Sequence, residues 1–317
     1  MKGTRSENYK IWIQASIFFF MVVLCYTFYV LVVKYLSWKN AQVPKSTQES
    51  FLDFFFSTKA SNKGDVNHSV GIVSSMKEPK DIETWLQKHR EMGIRHFYIR
   101  LEDTPNLVEF FQQQPDVTLQ VGNSKGVNEY KELQTRQGKW VNEALNKAKT
   151  EGNLGWIVHI DADELLSGNI NEITELPDDV HTFWMQNEEV KFNKVPDVQD
   201  NAFSNVAQFI DCSKNPGKCV SYGNGKGGGR VSSSVKSHGP HRFHSREPRA
   251  KEVKLSGMKV HHYESCDFEI YKQKFSRLAV QDKQNNIPFA YYNESILATK
   301  RNDERELYRL YRKYRVA

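Results

Sequence analysis

Trp156-Ile157-Val158-His159-Ile160-Asp161-Ala162-Asp163-Glu164-Leu165-Leu166 is the stretch on which the fold turns. Apolar and β-branched residues run straight into three acids. A short apolar run bounded by polar residues reads as a buried strand of a parallel sheet. Open α/β sheets gather ligands at the carboxyl ends of their strands, so this strand delivers Asp161, Asp163 and Glu164 to that place. Neighbouring carboxylates repel, and they stay ionised together only beside a cation or several hydrogen-bond donors. Oxygen ligands suit Mg2+ or Mn2+, which commonly take one or two carboxylates together with substrate phosphates. The expectation is a divalent-metal site that holds a diphosphate. The competing reading is an acidic turn capping a helix that begins near Gly168-Asn169.

Upstream, strands and helices alternate. Val70-Gly71-Ile72-Val73 reads as a first strand. Pro79 suits the first turn of a helix. Ile82, Trp85, Leu86, His89 and Met92 then recur at helical spacing, and Gly93 ends the run. His96-Phe97-Tyr98-Ile99 is a second strand, Leu107 to Phe111 a short helix, and Val117 to Val121 a third strand. Residues 128–149 read as a helix whose inner face includes Trp140, Ala144, Leu145 and Ala148. This alternation predicts a mostly parallel sheet with right-handed crossovers.

Downstream of residue 180 the alternation is lost. His181 to Met185 reads as a strand, and 190–220 as irregular. Tyr222-Gly223-Asn224-Gly225-Lys226-Gly227-Gly228-Gly229-Arg230 reads as a cationic glycine loop. It leads to Ser237-His238-Gly239-Pro240-His241-Arg242-Phe243-His244. A strand at Met258–Tyr263 precedes a helix from about Asp267 to Val280. The last helix, 303–315, is basic, with Leu307, Leu310, Tyr311 and Tyr314 on one side.

The N-terminal part is different in kind. Ile11 to Val33 is an uncharged run of 23 residues, long enough to span a bilayer. No small-x-small cleavage site follows it, and aromatic residues near its end suit an interfacial belt. The expected organisation is a cytoplasmic N-terminus at 1–10, a transmembrane signal anchor at 11–33, a polar stem at 34–67, a globular domain at 68–300 and a basic C-terminal helix at 301–317. The stem is broken by Phe51-Leu52-Asp53-Phe54-Phe55-Phe56. Asn67-His68-Ser69 and Asn293-Glu294-Ser295 are glycosylation sequons.

The formal net charge of +6 suits an anionic ligand as well as it suits nucleic acid. With four cysteines and no C-x2-C pair, zinc is a poor reading, even with His238, His241, His244, His261 and His262 close in sequence. Cys212 and Cys219 are spaced to close a small loop, which an oxidising compartment would favour. That leaves Cys266 unpaired.

Two segments carry a resemblance. They are Glu83-x-Trp85-Leu86-x-x-His89-x-x-x-Gly93-x-x-x-Phe97-Tyr98-Ile99 and Trp156-x-x-x-Ile160-Asp161-Ala162-Asp163-Glu164-Leu165. Together they resemble the family-2-like glycosyltransferases and the related group that includes galactan synthases. The stretch Tyr222 to Phe243 is also similar to sugar-transferring proteins of large algal viruses. The resemblance implies a GT-A fold, a nucleotide-binding α/β sheet with an Asp-x-Asp motif, over roughly residues 70–280. It implies that Asp161 lies near the ribose or metal, that Asp163 ligates Mn2+ or Mg2+, and that His262 completes the metal and diphosphate site. Relatives tend to carry an Asp-Asn pair at the end of the second strand, where this chain has Arg100-Leu101-Glu102-Asp103.

The chemistry of sugar transfer asks for more groups. A departing diphosphate gains charge that preorganised cations stabilise in the transition state. Lys226 and Arg230 are candidate clamps, an Arg fork being suited to phosphate oxygens; a solvated loop is the alternative. An inverting transfer needs a general base for the acceptor hydroxyl. Glu188 and Glu189 are the candidates, with Asp211 a further one; surface acids are the alternative reading. His238, His241 and Arg242 are candidate acceptor-site lining. The overall expectation is a metal-dependent, inverting glycosyltransferase, a single-pass type II membrane protein with its catalytic domain in the Golgi or ER lumen. Its partners would be a nucleotide-sugar donor and a glycan or glycoconjugate acceptor, with no nucleic acid. The rival expectations are a membrane-anchored carbohydrate-binding protein without catalysis and a metal-dependent phosphodiesterase.

Overall fold

The structure is a computed structural model that describes residues 68–124, 130–215, 219, 222–232, 234–280 and 289–317. The chain divides into Met1–Gly64 and Asp65–Ala317, and the described residues belong to the second unit. The expected N-terminus, transmembrane anchor and stem lie outside the described residues. Among the described residues no helix is long and apolar enough to cross a membrane.

The chain starts with β1 (Val70–Met76), α1 (Ile82–Glu91), β2 (His96–Glu102), α2 (Val108–Gln112), β3 (Val117–Gly122) and α3 (Tyr130–Glu151). It continues through β4 (Trp156–His159), β5 (Glu164–Ser167), α4 (Asn171–Thr174), β6 (Val180–Phe192), β7 (Val206–Asp211) and β8 (Lys226–Arg230). The last elements are β9 (Val235–His238), β10 (Arg242–Ser245), β11 (Lys251–His262), α5 (Phe268–Ala279), α6 (Ala290–Lys300) and α7 (Glu304–Arg315). The main sheet runs β3-β2-β1-β4-β8-β6-β11-β5, with β7 added on β6.

The strands from β3 to β4 are parallel, as the alternation predicts. Beyond β4 the expectation of a mostly parallel sheet is corrected. β8 pairs antiparallel with both β4 and β6, β5 antiparallel with β11, and β7 antiparallel with β6, while β6 and β11 are parallel. The sheet is therefore mixed, with helices on it.

Period-two alternation explains the two packed faces. Ile72, Phe97, Ile99, Trp156 and Val158 join Trp85 and Leu86 of α1 in one buried cluster. Their neighbours Val73, Tyr98 and Ile157 join Trp140, Ala144 and Leu145 of α3 in another. Val235 and Phe243 of the β9–β10 hairpin close that second cluster.

The cationic glycine loop is in part a strand. Lys226 to Arg230 is β8, held between β4 and β6. Its glycines are needed because both faces are crowded. A Cβ at Gly229 would meet Val235 at 2.6 Å and Phe243 at 2.9 Å, and one at Gly228 would run into the Phe183 ring. The 190–220 region likewise contains the end of β6 and all of β7.

The C-terminal helix is part of the same body. Asp303 caps α7 by accepting from Glu306 N at 3.0 Å, with acids in the first turn and bases in the last. Leu307, Leu310 and Tyr311 pack with Tyr271 and Phe275 of α5 and Tyr291 of α6. Ser295 of the second sequon is buried there and bonds the Tyr271 hydroxyl at 2.6 Å. Cys212 and Cys219 are joined by a disulfide, Cα to Cα 5.6 Å, and Cys266 is a buried free thiol.

Candidate active site

A cleft of about 500 Å³ opens at the carboxyl ends of β1, β2, β4 and β11, a size suited to a small ligand. Met76, Glu102, Asp161, Asp163 and His262 reach it from those strand ends. The turn Ile160–Asp163 carries the two aspartates between β4 and β5, where the chain crosses to the far edge of the sheet. Glu164 N bonds Asp161 O at 3.2 Å, and Tyr263 N bonds Asp163 O at 2.8 Å. The turn is thereby fixed to the end of β11. The acidic motif opens strand β5 and caps no helix.

The cation beside Asp161 and Glu164 is Lys226. Its side chain is fully buried, bonds Asp161, and lies 3.3 Å from Glu164. Asp161 also accepts from Gln137 at 3.0 Å. Burial alone would raise the Asp161 pKa, but the Lys226 ammonium outweighs it and holds the carboxyl below its usual range. Burial pushes Glu164 up to about 7 against the pull of Lys226. Glu164 also accepts from the Tyr222 hydroxyl, and the Tyr222 ring lies between His241 and His262, 4.6 Å and 5.2 Å away. An internal ammonium thus supplies the compensation that the adjacent acids require.

Asp163 stands apart from that pair. Its side chain is 48% exposed, and Oδ2 lies 3.5 Å from His262 Nε2. The other ring nitrogen of His262, Nδ1, is 2.8 Å from Glu189 Oε1. Burial would lower the His262 pKa, but the carboxylates of Glu189 and Asp163 reverse this and raise it. A histidine whose far nitrogen is held by a carboxylate is the usual arrangement of a metal-ligating imidazole. Ligands at roughly 2.0–2.1 Å around an octahedral ion lie about 3 Å apart, close to the 3.5 Å between Asp163 and His262. The two fit one edge of a Mg2+ or Mn2+ site. The expected trio with Asp161 is not assembled, since Asp161 is engaged by Lys226 and Gln137. Among the described residues, no three His, Cys, Asp or Glu side chains gather closely enough to hold a metal by themselves.

Several expected site residues lie elsewhere. Glu189 is fully buried behind His262 and does not line the cleft. Glu188 faces the opposite side of the sheet, 3.4 Å from His261, whose ring stacks on Phe209. Arg230 bonds the carbonyls of Val180 and Pro177 and covers the Trp156 ring, at the end of β8 remote from the cleft. Arg242 covers the Trp184 ring, and His238 is exposed on β9. Only His241 of the three acceptor candidates lines the cleft, bonding Gly225 O at 2.9 Å through Nδ1. Burial pushes its pKa down to about 3, so its ring is neutral. Asp211 accepts from Ser213 at the end of β7 and does not line the cleft.

Other cations do line it. Lys77 follows β1 directly and bonds Asp103 at 2.9 Å; Arg136 of α3 bonds Glu102 at 3.1 Å. Lys274 and Arg277 of α5 pair with Glu264 and Glu78. Lys77 was findable by the strand-end rule that singles out Asp161. Arg136, Lys274 and Arg277 lie on helices, and only tertiary structure brings them here. Glu102, at the end of β2, is buried and held by Arg100 and Arg136.

No protein-family model matches the sequence. The chain is similar to the Arabidopsis thaliana protein named glycosyltransferase-like At3g57200, 25% identical over 233 residues that cover 56% of this chain and 43% of that one. It is also similar to glycosyltransferase-like At2g41451 of the same plant, 23% identical over 250 residues, covering 64% and 55%. The chain spans about half the length of the curated relatives it matches. Among solved structures it is similar to HddC from Yersinia pseudotuberculosis, with 8% identity, 62% and 78% coverage and a TM-score of 0.26. A second is the rv0371c homolog from Mycobacterium sp. strain JC1, with 7% identity, 68% and 99% coverage and a TM-score of 0.30. Scores this low carry no argument, so the weight of comparison rests on the two plant relatives, both named glycosyltransferase-like.

Proposed function

We propose that this chain transfers a sugar from a nucleotide-sugar donor to a glycan or glycoconjugate acceptor in the cleft at the strand ends, as a GT-A type, metal-dependent enzyme. The two glycosyltransferase-like relatives support the reaction class. The observation that carries the reading is the placement of exposed Asp163 against His262, with Glu189 behind the imidazole. Asp163 and His262 would hold Mn2+ or Mg2+, which when bound supplies positive charge for a diphosphate.

The chain's own groups divide the remaining work. Lys77, Arg136, Lys274 and Arg277 present fixed positive charge to a donor diphosphate from the cleft walls, and preorganised charge of this kind stabilises the leaving group as it forms. This role replaces the one expected of Lys226 and Arg230. Lys226 instead holds Asp161 ionised and oriented. For an inverting transfer the base must face the acceptor. Glu78 lines the cleft with its side chain 50% exposed, and we assign that role to it in place of Glu188 and Glu189. His241 and Tyr222 line the same cleft and offer polar aromatic surface to a sugar. The Cys212–Cys219 disulfide supports an oxidising compartment, in keeping with a type II anchor at 11–33 and a lumenal domain.

The test is release of nucleotide from a panel of UDP- and GDP-sugars with Mn2+ present. A transferase slowly hydrolyses one donor, and Asp163→Ala abolishes this. Donor binding without turnover points to a carbohydrate-binding protein instead, and cleavage of simple phosphodiesters to a phosphodiesterase.

A further inference from the structure

Behind His262 lies a charge network that sugar transfer does not itself require. Glu189 Oε1 bonds the imidazole, and Glu189 Oε2 lies 3.1 Å from Nη1 of Arg315. Arg315 is the last residue of α7 and is fully buried. Its Nε is 3.8 Å from Glu264, which Lys274 and the Tyr291 hydroxyl also engage. Among the described residues, Nε and Nη2 of Arg315 have no hydrogen-bond partner. Burying a guanidinium with donors unsatisfied is costly, and apolar packing of the same volume is often as stable or more so. The ion pairs of Arg315 with Glu189 and Glu264 instead fix where those two carboxylates lie.

The end of α7 is also held to the strand that carries Glu189. Ala317 N bonds Phe192 O at 2.9 Å, Val316 bridges to Phe192, and Lys191 donates to the Tyr314 carbonyl. The helix end is thus pinned to strand β6, with Glu189 and Arg315 facing each other.

We propose that Arg315 is a positioning residue for the candidate metal site: through Glu189 it fixes the ring of His262, so that Nε2 faces Asp163 across the cleft. This rests on the metal reading of Asp163 and His262. The basic C-terminal helix is thereby a working part of the site. A carboxylate behind a metal-bound histidine sets ring orientation and ligand basicity, and Arg315 keeps that carboxylate directed at the ring.

The experiment pairs two readouts on Arg315→Met, Arg315→Lys and Glu189→Gln, with Leu307→Ala as a control that loosens the same helix without touching the network. Crystal structures of the metal-free variants report the geometry. In Arg315→Met the Glu189 carboxylate turns and the 2.8 Å contact to His262 is lost; retention of both overturns the proposal. Mn2+ titration reports the consequence. Arg315→Met and Glu189→Gln weaken binding about 10- to 100-fold, Arg315→Lys recovers part of it, and Leu307→Ala stays within about two-fold of wild type while losing thermal stability. Equal weakening by Leu307→Ala and Arg315→Met overturns positioning in favour of simple packing. Failure of the wild-type protein to bind Mn2+ contradicts the metal reading itself, whatever the crystal structures show.

Discussion

The buried ammonium of Lys226 bonds Asp161 and lies 3.3 Å from Glu164, across 65 and 62 residues of chain. A buried ammonium thus joins two acids at the floor of the cleft, Glu164 fully buried and Asp161 partly exposed. The Lys226→Met protein leaves both acids without a counter-ion. Removing one partner of such a pair costs about 3–5 kcal/mol, so urea unfolding of the variant shows a loss of that size. A midpoint equal to wild type would mean that Lys226 does not hold the acids.

His89 gives a pH dependence whose sign is fixed by its bonds. Its Nδ1 lies 2.9 Å from Trp85 O, and its Nε2 accepts from Leu166 N at 3.1 Å, so the ring is the neutral Nδ1–H form. Burial pushes its pKa from 6.5 down to about 3. The unfolded chain takes up a proton on this ring below 6.5, whereas the folded chain does not until about 3. The contribution is full above 6.5 and falls with pH, by up to about 1.4 kcal/mol per unit, until about 3. Denaturation curves of wild type and His89→Gln therefore converge as the pH drops through this window; a constant difference would contradict the assignment.

The cation set of the cleft is separable from the cations outside it. Lys77 lines the cleft and Arg242 lies on Trp184. Lys77→Ala weakens binding of a nucleoside diphosphate about ten-fold, or about 1.4 kcal/mol. Arg242→Ala leaves it within experimental error. Calorimetry distinguishes the two, and the reverse order would move the donor site to the β9–β10 side.

The disulfide closes a short loop at the end of β7, with a sequence separation of 7. Chain-entropy arguments give a loop of this length about 2–2.5 kcal/mol. Cys212→Ser lowers the unfolding free energy by about that amount without reductant, and dithiothreitol brings wild type to the same level. A wild-type protein indifferent to dithiothreitol would show that the bond does not form in solution.

The half of the domain from β1 to β4 was legible because its elements are local. Helical spacing of Trp85, Leu86 and His89 and the unbroken apolar run into Asp161 need no distant partner to be read. From β5 onward the signal fades for physical reasons. β8 is built from glycines, which have little strand preference, and it exists because Phe183 and Phe243 leave room for nothing larger. The sequence readily marks Asp161, Asp163 and His262, yet it says nothing of which acid each cation meets. Lys226 joins Asp161, Arg230 and Arg242 lie on tryptophans, and Glu189 finds His262 and Arg315 across 73 and 126 residues. Acids and bases of one type look alike in a sequence, and burial with a particular partner decides which is structural.

Under the proposed function, Asp163 and His262 hold a divalent cation that brings a donor diphosphate into the cleft. Calorimetric titration of UDP and GDP into the wild-type and Asp163→Ala proteins, each with Mn2+ and with EDTA, tests it directly. Mn2+ is expected to tighten binding of one nucleotide at least ten-fold in wild type, about 1.4 kcal/mol or more, and to leave Asp163→Ala unchanged. Equal affinity with Mn2+ and with EDTA in the wild-type protein would contradict it.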